Sequence, residues 1–203
     1  MMKNKWGIGL VALLFGSGCK SEPTLFERLD ASDTGITFTN QLTETETANI
    51  LAYEYFYNGG GVAVGDFNKD GLPDVYLTGN QVPNKLFINQ GNLNFDDVTE
   101  QACVAGRTDS WKTGVTLADV NTDGWLDIYV CYSGNFPAEK RKNQLFINLG
   151  LTHKSQKEVQ FREQAEAYGI ADAGYSTQGL FFDYDTDGDV DLFVLNHNLR
   201  GYQ

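Results

Sequence analysis

Asp66-Phe67-Asn68-Lys69-Asp70-Gly71-Leu72-Pro73-Asp74-Val75-Tyr76-Leu77 sets four Asp or Asn residues around one glycine and ends in a β-prone apolar run. The same order returns as Asp119-Val120-Asn121-Thr122-Asp123-Gly124-Trp125-Leu126-Asp127-Ile128-Tyr129-Val130. It returns again as Asp183-Tyr184-Asp185-Thr186-Asp187-Gly188-Asp189-Val190-Asp191-Leu192-Phe193-Val194. Asp or Asn holds positions 1, 3, 5 and 9 of each copy, glycine holds position 6, and successive copies start 53 and 64 residues apart. Recurrence at such a period marks a repeat architecture, in which each unit buries its apolar face against its neighbours.

The loop chemistry points to calcium. A hard divalent cation takes six to eight oxygen ligands, several of them anionic, and a tight loop supplies them from alternate positions while glycine allows the sharp turn. The expected ligands are the side chains of Asp66, Asn68, Asp70 and Asp74, of Asp119, Asn121, Asp123 and Asp127, and of Asp183, Asp185, Asp187 and Asp191. Position 7 adds a backbone carbonyl from Leu72, Trp125 and Asp189, for up to three Ca²⁺. Magnesium fits less well, because it retains its waters and demands stricter geometry. Asp-Gly alone is a common hairpin turn, but that leaves Asp or Asn at positions 1, 3 and 9 of every copy without a reason. An EF-hand needs glutamate at position 12 and flanking helices. Here position 12 is Leu77, Val130 and Val194, each inside a strand-like run.

Outside the loops, Asn84-Lys-Leu86-Phe87-Ile88-Asn89-Gln-Gly91 recurs as Asn143-Gln-Leu145-Phe146-Ile147-Asn148-Leu-Gly150. A further element opens at Phe26, Phe95 and Phe161 and closes at Ile36, Val104 and Ile170. Short apolar runs such as Val62–Val64, Val75–Leu77 and Leu86–Ile88, bounded by Gly, Asn, Asp or Pro, read as strands. Three to four of them per repeat make an all-β fold of propeller blades, each of about four antiparallel strands joined by calcium-binding hairpin loops. Gly61, Ala63 and Gly65 suit a crowded innermost strand; Gly114 and Ala118 agree, whereas the third repeat has Gln178 and Phe182. Arg162–Tyr168 is the single stretch expected to be helical, and Ser133–Lys142 and Thr152–Gln160 read as polar insertions.

These loops and strands resemble FG-GAP/VCBS repeats, the calcium-loop blades of integrin-α-type β-propellers. With Asn-x-Leu-Phe-Ile-Asn beside them they are most similar to the bacterial ASPIC/UnbV, cartilage-acidic-protein-like group. The resemblance runs from about Phe26 to Asn198 and implies the same side-chain calcium ligands in the three loops. The literal Phe-Gly…Gly-Ala-Pro signature is replaced by Asn58-Gly-Gly-Gly61-Val. Such proteins have about seven blades, so residues 26–203, with three loops, are expected to form an incomplete part of a larger propeller.

Met1–Lys5 is basic, Trp6–Phe15 is apolar, and Gly16, Ser17, Gly18 and Cys19 follow. The apolar run is too short for a bilayer span and reads as an export signal. Its end resembles a bacterial lipobox, which implies a signal peptide over 1–18, acylation of Cys19 and a tether over 19–25. An ordinary secretory signal with an incidental Cys19 is the alternative. Either way the mature chain is exported, and the lipid at Cys19 is its expected route to a membrane, at the bacterial outer membrane or cell surface.

The 203 residues carry 15 Lys+Arg against 27 Asp+Glu, a net charge of −12, and 41% are hydrophobic. That balance excludes nucleic acid as a main partner, and the aromatic content excludes a disordered acidic tail. Losing Lys3 and Lys5 with the leader makes the charge −14, and 11 of the 27 acids lie in the three loops. No nucleophile motif or P-loop occurs. Cys103 and Cys131 read as free thiols, with a disulfide as the alternative. His153 and His197 lack a zinc-type setting, and Lys140-Arg-Lys142 reads as a solvated tip. The Tyr53, Tyr55, Phe56 and Tyr57 group reads as core, with sugar stacking as its alternative. The expectation is a non-enzymatic binding or adhesion module for a protein or glycan ligand. A polysaccharide-active enzyme and a structural spacer are its rivals.

Overall fold

The computed structural model describes residues 25–151 and 159–198. The expected signal peptide, Cys19 and the tether up to Thr24 lie outside the described residues, as does His153. Three antiparallel sheets follow one another along the chain. The first contains β1 (Val62–Gly65), β2 (Asp74–Leu77), β3 (Lys85–Asn89) and β4 (Phe95–Asp97). The second contains β5 (Trp111–Ala118), β6 (Asp127–Ser133), β7 (Gln144–Leu151) and β8 (Val159–Glu163). Among the described residues the third has β9 (Ser176–Phe182) and β10 (Asp191–Asn196). Each is an up-and-down meander, so the chain is all-β, built as part of a propeller-like fold.

Register at the loop end of the strands is the same from copy to copy. Gly65 pairs with Asp74, Ala118 with Asp127 and Phe182 with Asp191, so the same strand pair closes each acidic loop. Phe87 pairs with Val75 and Asp97 as Phe146 pairs with Ile128 and Glu163.

The sheets stack face to face, which explains the unbroken apolar run of β6. Ile128, Val130 and Tyr132 pack with Tyr76, Leu86 and Ile88 of the first sheet. The alternate residues Tyr129 and Cys131 pack with Phe181, Leu192 and Val194 of the third. A strand buried on both faces loses the polar alternation of a half-exposed one. The first strands come closest together. A Cβ on Gly61 would lie 2.9 Å from the Val115 nitrogen, and one on Gly114 would lie 2.4 Å from the Thr177 carbonyl oxygen. The glycines expected on a crowded strand sit at that crowding. Gln178, in their place on β9, donates its amide to the Val115 carbonyl at 3.1 Å.

Three expectations are corrected. Arg162–Tyr168 is not a helix: Arg162 and Glu163 end β8, paired with Ile147 and Phe146, and only turns follow. Pairing with β7 decides these residues, and Gly169 at φ 73° ends the turn. The helices among the described residues are single turns, α1 (Ala31–Thr34), α2 (Thr99–Ala102) and α3 (Ala138–Arg141). Nor is Lys140–Lys142 a solvated tip. The Arg141 guanidinium lies 4.2 Å from the Tyr175 ring centroid and its Nε donates to the carbonyls of Ala173 and Gly174. Lys142 bridges Glu139 and Glu166 at 2.8 Å each. In the third case, Phe26 is 85% exposed and lies in no strand, whereas Phe95 begins β4 and Phe161 lies within β8.

Candidate metal-binding loops

Each acidic loop leaves the end of a first strand and returns into a second. In the first, the Asp70 amide donates to both Asp66 Oδ1 and Asn68 Oδ1 at 3.1 Å, so these two oxygens converge on one point. Gly71 donates to Asp66 Oδ2 and Leu72 to Asp70 Oδ1. The second loop repeats the set, with Asp123 donating to Asp119 and Asn121, Gly124 to Asp119, and Trp125 to Asp123. Lys69 at φ 58°, Thr122 at 57° and Thr186 at 63° all take the left-handed conformation at position 4. The residue types vary there while the turn does not.

In the third loop, Gly188 donates to Asp183 and Asp189 to Asp187. Asp183, Asp185 and Asp187 each bring a carboxylate oxygen within 4.8 Å of the others. Asp187 beside Asp189 raises the latter's carboxyl pKa through like-charge proximity. Three oxygens gathered this closely fit a hard cation in donor type and convergence.

Position 9 differs from the rest. Asp74 and Asp127 are buried beneath their loops, 0% and 1% exposed. Asp74 accepts from the amides of Phe67 at 2.9 Å and Asn89 at 2.8 Å. Asp127 accepts from those of Val120 and Asn148 at the same distances. Burial pushes both carboxyls up to about 6, with the backbone donors opposing it. Asp191 is exposed and accepts from Tyr184 at 2.9 Å.

Sequence reasoning did not connect the Asn-x-Leu-Phe-Ile-Asn element to the loops. Its last residue does this in both copies: the backbone N–H groups of Asn89 and Asn148 donate to the buried position-9 carboxylate. Asn148 Nδ2 also reaches the Phe67 carbonyl at 3.0 Å, joining the second sheet to the first loop. The element's first residues, Asn84 and Asn143, donate to the hydroxyls of Tyr76 and Tyr129. The signal was the recurrence of asparagine at both ends of the element.

Cys103 and Cys131 are both free thiols, the first exposed and the second buried. His197 places Nε2 2.8 Å from Ser133 Oγ, a hydrogen-bonding role as expected. Of the aromatic group, Tyr53 and Phe56 are core, Tyr55 is half-buried and Tyr57 is exposed. Among the described residues no helix is long and apolar enough to cross a membrane.

Residues 66–130 match the FG-GAP-like repeat family. Over 148 residues, 71% of this chain, the sequence is 32% identical to cartilage acidic protein 1 of Xenopus tropicalis, covering 21% of that protein. It is 32% identical over 143 residues to the Mus musculus protein of the same name, and 31% over 141 residues to that of Homo sapiens. These stretches take in 68% and 69% of the chain and 20% of each relative. The chain spans about a fifth of the length of the curated relatives it matches. It carries an FG-GAP-like repeat and is homologous to cartilage acidic protein 1 across that stretch.

Proposed function

We propose that the chain is a calcium-stabilised propeller segment, exported and held at a bacterial surface through Cys19, that binds a protein or glycan and performs no catalysis. The observation that carries the calcium reading is the convergence of loop oxygens in three copies of one closed hairpin. Asp66, Asn68 and Asp70, and their counterparts in the other loops, face outward as ligands, with the carbonyls of Leu72, Trp125 and Asp189 as further donors. Asp74 and Asp127 anchor the loops from below. When bound, calcium supplies the positive charge that offsets repulsion among the carboxylates. Three ions bring the mature charge from −14 to about −8. The basic-apolar leader ending at Cys19 supports export.

Binding to the folded state alone stabilises it by linkage, about 2.7 kcal/mol per site at a hundredfold excess over Kd. Scanning calorimetry of the protein should therefore show a lower unfolding temperature in chelator, restored by calcium and less so by equimolar magnesium. An unchanged unfolding temperature in chelator overturns the calcium reading.

A further inference from the structure

β10 has the sequence of an inner strand, yet among the described residues it pairs with β9 alone and stands at the edge of its sheet. Between Asp191 and Asn196 it reads Leu-Phe-Val-Leu, with no charge and no proline. The outermost strands of the complete sheets differ: β4 carries Asp96 and Asp97, and β8 carries Arg162 and Glu163. Charges of that kind protect an edge from further pairing, and the centre of β10 has none. Its counterparts β2 and β6 each hold a third strand along that edge, with Phe87 opposite Val75 and Phe146 opposite Ile128.

Two further observations meet at the same place. An open cleft of about 610 Å³ lies over Leu192 and Val194, lined also by Ile170, Lys142, Glu166 and Asp172. At the preceding junction the residues in the same register, Val104, Ile128 and Val130, lie in one core with Phe146 of β7 and Phe161 of β8. The cleft therefore occupies the position that a third strand's phenylalanine fills one repeat earlier. Asp191, for its part, accepts from one backbone donor among the described residues, Tyr184, where Asp74 and Asp127 each accept from two. The donor it lacks corresponds to the N–H of Asn89 or Asn148, the last residue of the third strand.

We propose that the open edge of β10 binds an extended strand of a partner protein, antiparallel, with an aromatic residue opposite Leu192 and the N–H two residues further on directed at Asp191. Main-chain pairing supplies the affinity, and the cleft reads the aromatic side chain. The inference rests on the binding-module reading and narrows its ligand to a protein strand of the Leu-Phe-Ile-Asn pattern. A glycan has no backbone ladder to offer such an edge.

Fluorescence anisotropy of a labelled peptide copying Asn143–Gly150 tests this on the calcium-supplemented protein. Saturable one-to-one binding is expected, with slowed amide hydrogen exchange in β10. Phe146→Ala in the peptide leaves the cleft empty and should weaken binding about tenfold or more. Methylation of the backbone nitrogen at the peptide's Asn148 removes the donor to Asp191 and should weaken it about tenfold. A scrambled peptide of the same composition should not bind. All these changes lie in the peptide, so the protein's fold is the same in every arm. No binding, equal binding of the scrambled peptide, or indifference to both peptide changes overturns the proposal. Protection of β10 that rises with protein concentration in the absence of peptide overturns it in favour of a second copy of the chain. Protein and glycan arrays probed with the same samples separate this inference from the reading beneath it. An array ligand without peptide binding sinks the strand edge alone, and no ligand in either sinks the binding module as well.

Discussion

Asp127 shows how one carboxylate serves both loop and sheet. Removing it in Asp127→Ala leaves the buried amides of Val120 and Asn148 without their acceptor. The expected loss is about 2–4 kcal/mol of unfolding free energy, measured by urea denaturation in chelator so that metal binding does not contribute. Lys112 presents the opposite case. It is 2% exposed, its Nζ is 3.4 Å from the Arg107 carbonyl, and burial lowers its pKa to about 8. Below pH 8 the folded and unfolded chains both hold the proton, and the burial penalty stands in full. Between about 8 and 10 the unfolded chain binds more protons, so stability rises with pH. Lys112→Met should stabilise the protein by about 1–3 kcal/mol at pH 7, and the gain over wild type should shrink as pH climbs through that window. Urea denaturation across the pH range checks both.

At the scale of elements, the loops and their hairpins were legible because their chemistry is position-specific. Asp or Asn at 1, 3, 5 and 9 with glycine at 6 leaves little freedom in backbone or register. Arg162–Tyr168 was misread because helix propensity is a weak preference, and pairing with β7 outweighs it. Crowding of the first strands was partly visible in their glycines and yields a test. Gly114→Ala would press a methyl group against the Thr177 carbonyl at 2.4 Å, across a junction of two sheets. It should cost about 1–3 kcal/mol by denaturant unfolding. The same change at Gly71, where a Cβ meets nothing within 4 Å, tests backbone strain alone at φ 86°.

For the whole molecule, stacked sheets bury their shared faces and leave the outer ones open. Val62 and Val64 are 62% and 60% exposed on one flank, and Leu180, Phe193 and Leu195 are 55%, 57% and 53% exposed in the third sheet. Apolar surface of this kind drives association. Sedimentation velocity of the chain should show mass rising with concentration, and Leu180→Lys with Phe193→Lys should suppress it. The Lys69 ammonium lies 4.1 Å over the Trp125 ring, tying the first loop to the second. An indole under a cation, at the joint between two neighbouring loops, senses the electric field there, so Trp125 fluorescence should shift if a cation is added to either loop.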